Sequence, residues 1–86
     1  MYKKQTYKLR IDFGKEIGVK RSSSQITDHY TKEELIGKQV VAVVNFPPKQ
    51  VGKFISEVLT TGFYDEENKV VLASPTQKVP NGTKLL

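Results

Sequence analysis

The stretch VVAVVNFPPKQVGKFISEVL, Val40 to Leu59, decides how this chain is read. Five small or β-branched apolar residues, Val40 to Val44, are apolar at successive positions, which predicts a strand buried on both faces. Pro47 and Pro48 then stop it, because neither offers an amide to a ladder. The chain turns basic at Lys49 and Lys53, and a further strand, ISEVLTTGF, begins at Ile55. A stiff, basic and apolar elbow thus lies between two predicted core strands.

Upstream, TYKLRIDF alternates strictly. Tyr7, Leu9, Ile11 and Phe13 fall on one face, and Thr6, Lys8, Arg10 and Asp12 on the other, the period of a half-buried strand. Gly14 ends it. EIGVKRSSSQI reads as a second, more polar strand, with an edge position as its natural place. Ser22, Ser23, Ser24 and Gln25 make a hydrogen-bonding strip there, suited either to RNA riboses or to solvating an edge. In ITDHYTKEELIGK, Thr31 and Glu34 have the spacing of a capping box, and Gly37 stands where a left-handed cap is wanted. This predicts a short helix over Lys32–Ile36. Downstream of the elbow, DEEN is a polar turn and KVVLA a last strand. In VPNGT, Pro80 presets a bend, and Asn81 and Gly82 tolerate positive φ.

Five strands and one short helix predict a mostly β fold, a five-stranded Greek-key barrel of the OB type. The 86 residues suit one domain, residues 1–86. A chain of this length buries only ~60–65% of the surface it exposes when unfolded, so a partner subunit would add needed burial. Cysteine is absent, which excludes disulfides and thiolate metal sites. No apolar run approaches the ~20 residues of a membrane span, and the start, MYKKQTYKLR, has no signal-peptide apolar core. The expected compartment is the cytoplasm.

The net charge is +5, and it is unevenly spread: residues 1–53 hold 11 basic and 5 acidic groups, residues 54–86 hold 3 and 4. A basic field collects polyanions, and RNA is the commonest in a cytosol. Catalysis finds no support. His29 is the only histidine, and it sits in a polar stretch. No P-loop or dinucleotide glycine motif is present. Glu33–Glu34 and Asp65–Glu67 read as a helix start and a turn. No catalytic residue, metal site or cofactor is expected.

YKLRIDFGKEIGVKRSSSQIT, YTKEELIGKQVVAVVNFPPKQVGKFISEVL and VPNGTKL, taken together, resemble the CsaA-type proteins. These are small dimeric OB-fold proteins named as secretion chaperones. They are related to the tRNA-binding domain at the C-terminus of some methionyl-tRNA synthetases. The resemblance runs from about Thr6 onward, with IDFG, SSxQI, VVAVVNFPP, SEVL and VPNGTK in family order. It implies a homodimer. The family carries a further N-terminal stretch holding the first barrel strand; Met1–Gln5 stand where the following loop ends. By that correspondence the strand at Tyr7 is the family's second, the family's first is lacking, and Lys69–Ala73 is an added C-terminal strand. In the tRNA-binding relatives a Ser-x-Gly-Met motif is implicated in RNA contact. Here Ser56 matches its serine, while Val58 and Leu59 replace Gly and Met, as in the CsaA branch.

Two functional readings follow. In the first, a basic face of Lys20, Arg21, Lys49 and Lys53, with Ser56, meets the phosphates of tRNA or another structured RNA, and Phe54 or Phe46 supplies stacking. In the alternative, Phe46, Pro47, Pro48, Phe54 and Leu59 line an apolar groove that binds unfolded or export-bound polypeptide. The apolar residues could equally lie in a core or dimer interface.

Overall fold

A computed structural model describes residues 6–86; Met1–Gln5, the expected end of the N-terminal loop, lie outside the described residues. The chain is mostly strand with two short helices. Among the described residues, eight strands form four antiparallel pairs. The predicted ISEVLTTGF strand is divided among three of these, one further strand lies within the elbow, and the other four predicted strands are each represented by a single shorter one.

The first hairpin follows the alternation. Strand β1, Tyr7–Asp12, half-buries Tyr7, Leu9 and Ile11 and exposes Lys8, Arg10 and Asp12. It pairs along its whole length with β2, Val19–Ser24, from Tyr7↔Ser24 to Asp12↔Val19. The predicted second strand began at Glu16. Instead Glu16 and Ile17 belong to a helical turn, α1, Gly14–Ile17. Gly14 and Gly18 bracket it with φ of +84° and +81°, a region glycine enters without steric cost. The Asp12 carboxylate accepts from the Gly14 amide (2.9 Å), and the Phe13 amide reaches the Gly18 carbonyl (3.0 Å) to close the hairpin.

Helix α2, Lys32–Leu35, opens on the capping box that its sequence predicts. The Glu34 amide donates to Thr31 Oγ1 (3.2 Å) and the Thr31 amide to Glu34 Oε1 (3.0 Å). It ends one residue early, with Ile36 extended and Gly37 left-handed.

The valine-rich strand departs most from its reading. Only Ala42–Val43, β3, forms a ladder, with β6, Leu59–Thr60. Val40 to Val43 are half-buried and Val44 is exposed, so this segment is not enclosed on both faces. Val41 ties the pair to the next one. Its carbonyl accepts from the Thr61 amide (3.0 Å) and its amide donates to the Ala73 carbonyl (2.9 Å). That next pair joins β7, Gly62–Tyr64, to β8, Val70–Leu72. The polar turn between them is fastened by Asp65, whose carboxylate accepts from the Glu67 and Lys69 amides.

The core is small: Ile26, Val58 and Leu72 are its buried apolar side chains, and Ser22 is more deeply buried still, at 1% exposure. The two serine roles weighed from sequence both place the strip at the surface. Ser22 is instead interior, its hydroxyl 2.8 Å from Thr60 Oγ1. Two tyrosines link the first hairpin to the last: Tyr7 donates to the Tyr30 carbonyl (2.8 Å), and the Tyr30 hydroxyl accepts from the Leu72 amide (2.9 Å).

Candidate nucleic-acid interface

The elbow is itself a β-hairpin. Strand β4, Lys49–Val51, pairs with β5, Phe54–Ser56, in the register Lys49↔Ser56, Gln50↔Ile55, Val51↔Phe54. Gly52 and Lys53 form the two-residue turn, with Gly52 at φ +63°. Glycine in the first of two central positions suits such a turn, because its twist matches that of the strands. The prolines precede the hairpin, and its second strand packs against β2.

A groove of about 350 Å³ lies between this hairpin and the end of the first one. Thr6, Ser23 and Gln25 line one side and Lys49, Gln50 and Ser56 the other, while Phe46, Val51, Val58 and Leu59 supply apolar surface. Ser56 is a structural tie within it: its hydroxyl accepts from the Ser23 amide (3.0 Å) and donates to the Val58 carbonyl (3.2 Å). Gln50 is turned back onto the Gly52 carbonyl (3.0 Å).

The residues singled out from sequence distribute unevenly around this groove. Lys49, Ser56, Phe46 and Leu59 line it together. Lys53 sits at the exposed hairpin tip, and Pro47 and Pro48 are exposed before β4. Lys20 and Arg21 part company, since successive strand residues point to opposite faces: Lys20 pairs with Ile11 and Arg21 with Arg10.

Phe54 is the largest surprise. Its ring carries two cations, Lys8 Nζ at 5.5 Å and the Arg21 guanidinium at 5.6 Å from the centroid, within cation–π range. Arg21 is also bound to Glu57. The Glu57 carboxylate accepts from both the Arg21 amide (3.0 Å) and Nε (3.3 Å). The amide contact, with help from the guanidinium, holds the Glu57 carboxyl below its ordinary range. Part of the Arg21 charge is thereby compensated.

Lys8 and Arg10 were placed by the alternation on the outward face of β1 but not assigned to a site. The signal was present in Lys8-Leu9-Arg10, whose spacing sets both cations on one face. Among the described residues no cluster of three His, Cys, Asp or Glu side chains could hold a metal ion, and no helix is long and apolar enough to cross a membrane.

A family profile described as "Putative tRNA binding domain" matches residues 2–84. The chain belongs to this tRNA-binding domain family. Among solved structures similar to it, the chaperone CsaA of Bacillus anthracis str. Ames superposes with a TM-score of 0.89 at 56% identity, over 94% of this chain and 76% of that one. The CsaA chaperone protein of Picrophilus torridus gives 0.89 at 51% identity, over 96% and 75%. The resemblance to CsaA-type proteins read from the motifs is therefore shown at the level of sequence and fold. Methionine–tRNA ligases are similar too. That of Methanococcus aeolicus is 37% identical over 82 residues, 95% of this chain and 12% of the ligase. That of Bacillus subtilis (strain 168) is 38% identical over 79 residues, 91% and 11%. This tRNA-binding domain thus spans about a ninth to an eighth of the ligases it matches.

Proposed function

We propose that the chain is a non-catalytic binder of structured RNA, most directly tRNA, which it grips beside the elbow hairpin. It does so as a cytoplasmic homodimer built on an OB-type barrel. The observation that carries the reading is a groove with Lys49 on its rim and hydroxyl and amide side chains on both walls, in a chain matched almost end to end by a tRNA-binding family. Ammonium groups at the hairpin, Lys49 in the groove and Lys53 at the tip, suit contact with phosphates, which position a nucleic acid without reading its sequence. The dimer is supported by the small core and by the exposed pair Phe63↔Val71 on the last hairpin. Lys49→Glu with Lys53→Glu tests the site. The double variant should lose retention of tRNA on a filter at low salt, and unchanged retention would refute the assignment.

Peptide binding is the second reading. The apolar contribution of Phe46, Val51, Val58 and Leu59 to the groove favours it, as do two solved neighbours described as chaperones. Suppression of client aggregation that persists in moderate salt, yet fails in Leu59→Ser, would support that use of the groove.

A further inference from the structure

The groove does not end at the elbow. Thr6 and Ser23 line it, and Ser23 pairs across the ladder with Lys8. Paired strand residues share a face, as do residues two apart on one strand. The face that carries Ser23 therefore continues through Lys8, Arg10 and Arg21. Arg10 stands directly opposite Arg21, and like charges so placed cost stability. Among the described residues the ion pairs are Arg21–Glu57, His29–Asp65 and Lys69–Glu67; neither Lys8 nor Arg10 has a carboxylate partner. Asp12, the one acidic side chain of β1, stands at the far end of the row and accepts from the Gly14 amide. Packing alone gives no reason to set two arginines face to face.

Resting on the RNA reading above, we infer that Lys8, Arg10 and Arg21 form a second anion-binding row, continuous with the groove, that takes the sugar–phosphate strand leaving it. Lys8 and Arg10 lie ~6.8 Å apart along β1 at two residues of rise, close to the repeat of neighbouring phosphates on one strand. Phe54 acts as a platform. By holding Lys8 and Arg21 against its ring it restricts two flexible side chains before the ligand arrives, which lowers the entropic cost of binding. Glu57 tempers Arg21, so Lys8 and Arg10 contribute most of the uncompensated charge. A bound phosphate chain would remove the repulsion between Arg10 and Arg21.

The test is a titration of the full chain with unfractionated tRNA at several salt concentrations, followed by fluorescence anisotropy. The variants are Lys8→Gln with Arg10→Gln, Lys49→Gln with Lys53→Gln, and Arg10→Lys alone. Loss of two phosphate contacts should lower the slope of log K against log salt by about 1.4–1.8. The Lys8/Arg10 variant should show that drop with little change in thermal midpoint, because Arg10→Gln relieves the pair with Arg21 while Lys8→Gln gives up the contact with Phe54. Arg10→Lys should keep the slope. An unchanged slope in the Lys8/Arg10 variant, with a lowered one in the elbow variant, overturns the row and leaves the RNA reading standing. Affinity and thermal midpoint falling together would assign the row a structural role and overturn it too. No salt-dependent binding of tRNA by the unaltered chain would remove both.

Discussion

Arg21 and Glu57 are joined in both directions across the molecule. The Arg21 amide and Nε donate to one Glu57 carboxylate oxygen at 3.0 and 3.3 Å, and the Glu57 amide returns a bond to the Arg21 carbonyl at 2.8 Å. The contact fixes β2 against the segment that follows the elbow hairpin. It also sets a carboxylate beside a cation that the proposed RNA face needs.

Replacing Glu57 by Gln separates these two effects. The amide side chain keeps an acceptor for the Arg21 N–H groups and removes the negative charge. Affinity for tRNA should rise roughly two- to fivefold at low salt, the range expected of one exposed charge pair, while stability falls slightly. There is a pH signature as well. The Glu57 carboxyl lies below its ordinary range, first because it accepts from the Arg21 amide. A depressed pKa contributes stability that is present above the unfolded value and lost as pH falls through the folded one. Urea midpoints measured from pH 6 down to pH 3 should therefore fall less in Glu57→Gln than in the unaltered chain.

Ser22 offers a second measurement, on the interior. Its hydroxyl is 2.8 Å from Thr60 Oγ1 and 3.4 Å from Ser24 Oγ, at a position only 1% exposed. Ser22→Ala removes one partner and leaves Thr60 without it. The expected loss is about 1–3 kcal/mol, the cost of stranding a buried polar group. Ser22→Ala with Thr60→Val should recover part of it, since both polar partners are then gone. Urea denaturation of the three proteins checks the order.

How far the sequence could be read depended on whether a feature was local. The Thr31–Glu34 cap, the β1 alternation and the Asp65–Asn68 turn each depend on neighbours within a few residues, and each is found where its spacing predicts. The elbow was half legible. Pro47 and Pro48 marked a break, but Gly52-Lys53 between Lys49–Val51 and Phe54–Ser56 is a hairpin signal that the prolines overshadowed. Nothing local announces that Phe54 meets Lys8, because that contact joins residues 46 positions apart. The interior place of Ser22 was hidden for the same reason: its partner Thr60 is distant in sequence, and a run of serines reads as surface. Nor does an apolar run of valines say what covers its second face.

The cap on α2 gives a local test in acid. Thr31 and Glu34 exchange two hydrogen bonds, and those to Thr31, first its backbone amide, keep the Glu34 carboxyl below its ordinary value. Protonating Glu34 weakens the amide contact, so its contribution exists above that value and disappears as pH falls through the folded pKa. Thr31→Ala should cost about 0.5–2 kcal/mol, whereas Glu34→Gln removes the titrating carboxylate, so its gap from the unaltered chain should be largest near neutral pH and narrow as pH falls through the folded pKa of Glu34. A gap that stays constant with pH would mean that the carboxylate takes no part in the cap.

The last prediction concerns how the C-terminal turn docks. Gly82 has φ +87°, and a Cβ there would collide with the Phe13 carbonyl oxygen. That oxygen is backbone and cannot swing aside. Gly37 shares the positive φ, +81°, but has open space around it. Alanine at either position pays the backbone cost of a positive φ, roughly 1–2 kcal/mol. Only at Gly82 must the turn also lift from the β1–α1 corner. Gly82→Ala should therefore destabilise the chain distinctly more than Gly37→Ala, and the difference measures what that docking contributes. The turn is held internally by Thr83, whose amide and hydroxyl both donate to the Pro80 carbonyl (3.2 and 2.7 Å), so it should move as a unit. Amide exchange supplies the independent readout: in Gly82→Ala the Gln39 side chain should lose its bonds to Val79 and Asn81, and the Val79 amide should exchange faster. Equal losses of stability in the two alanine variants, with Val79 still protected, would show that the turn is not seated against Phe13.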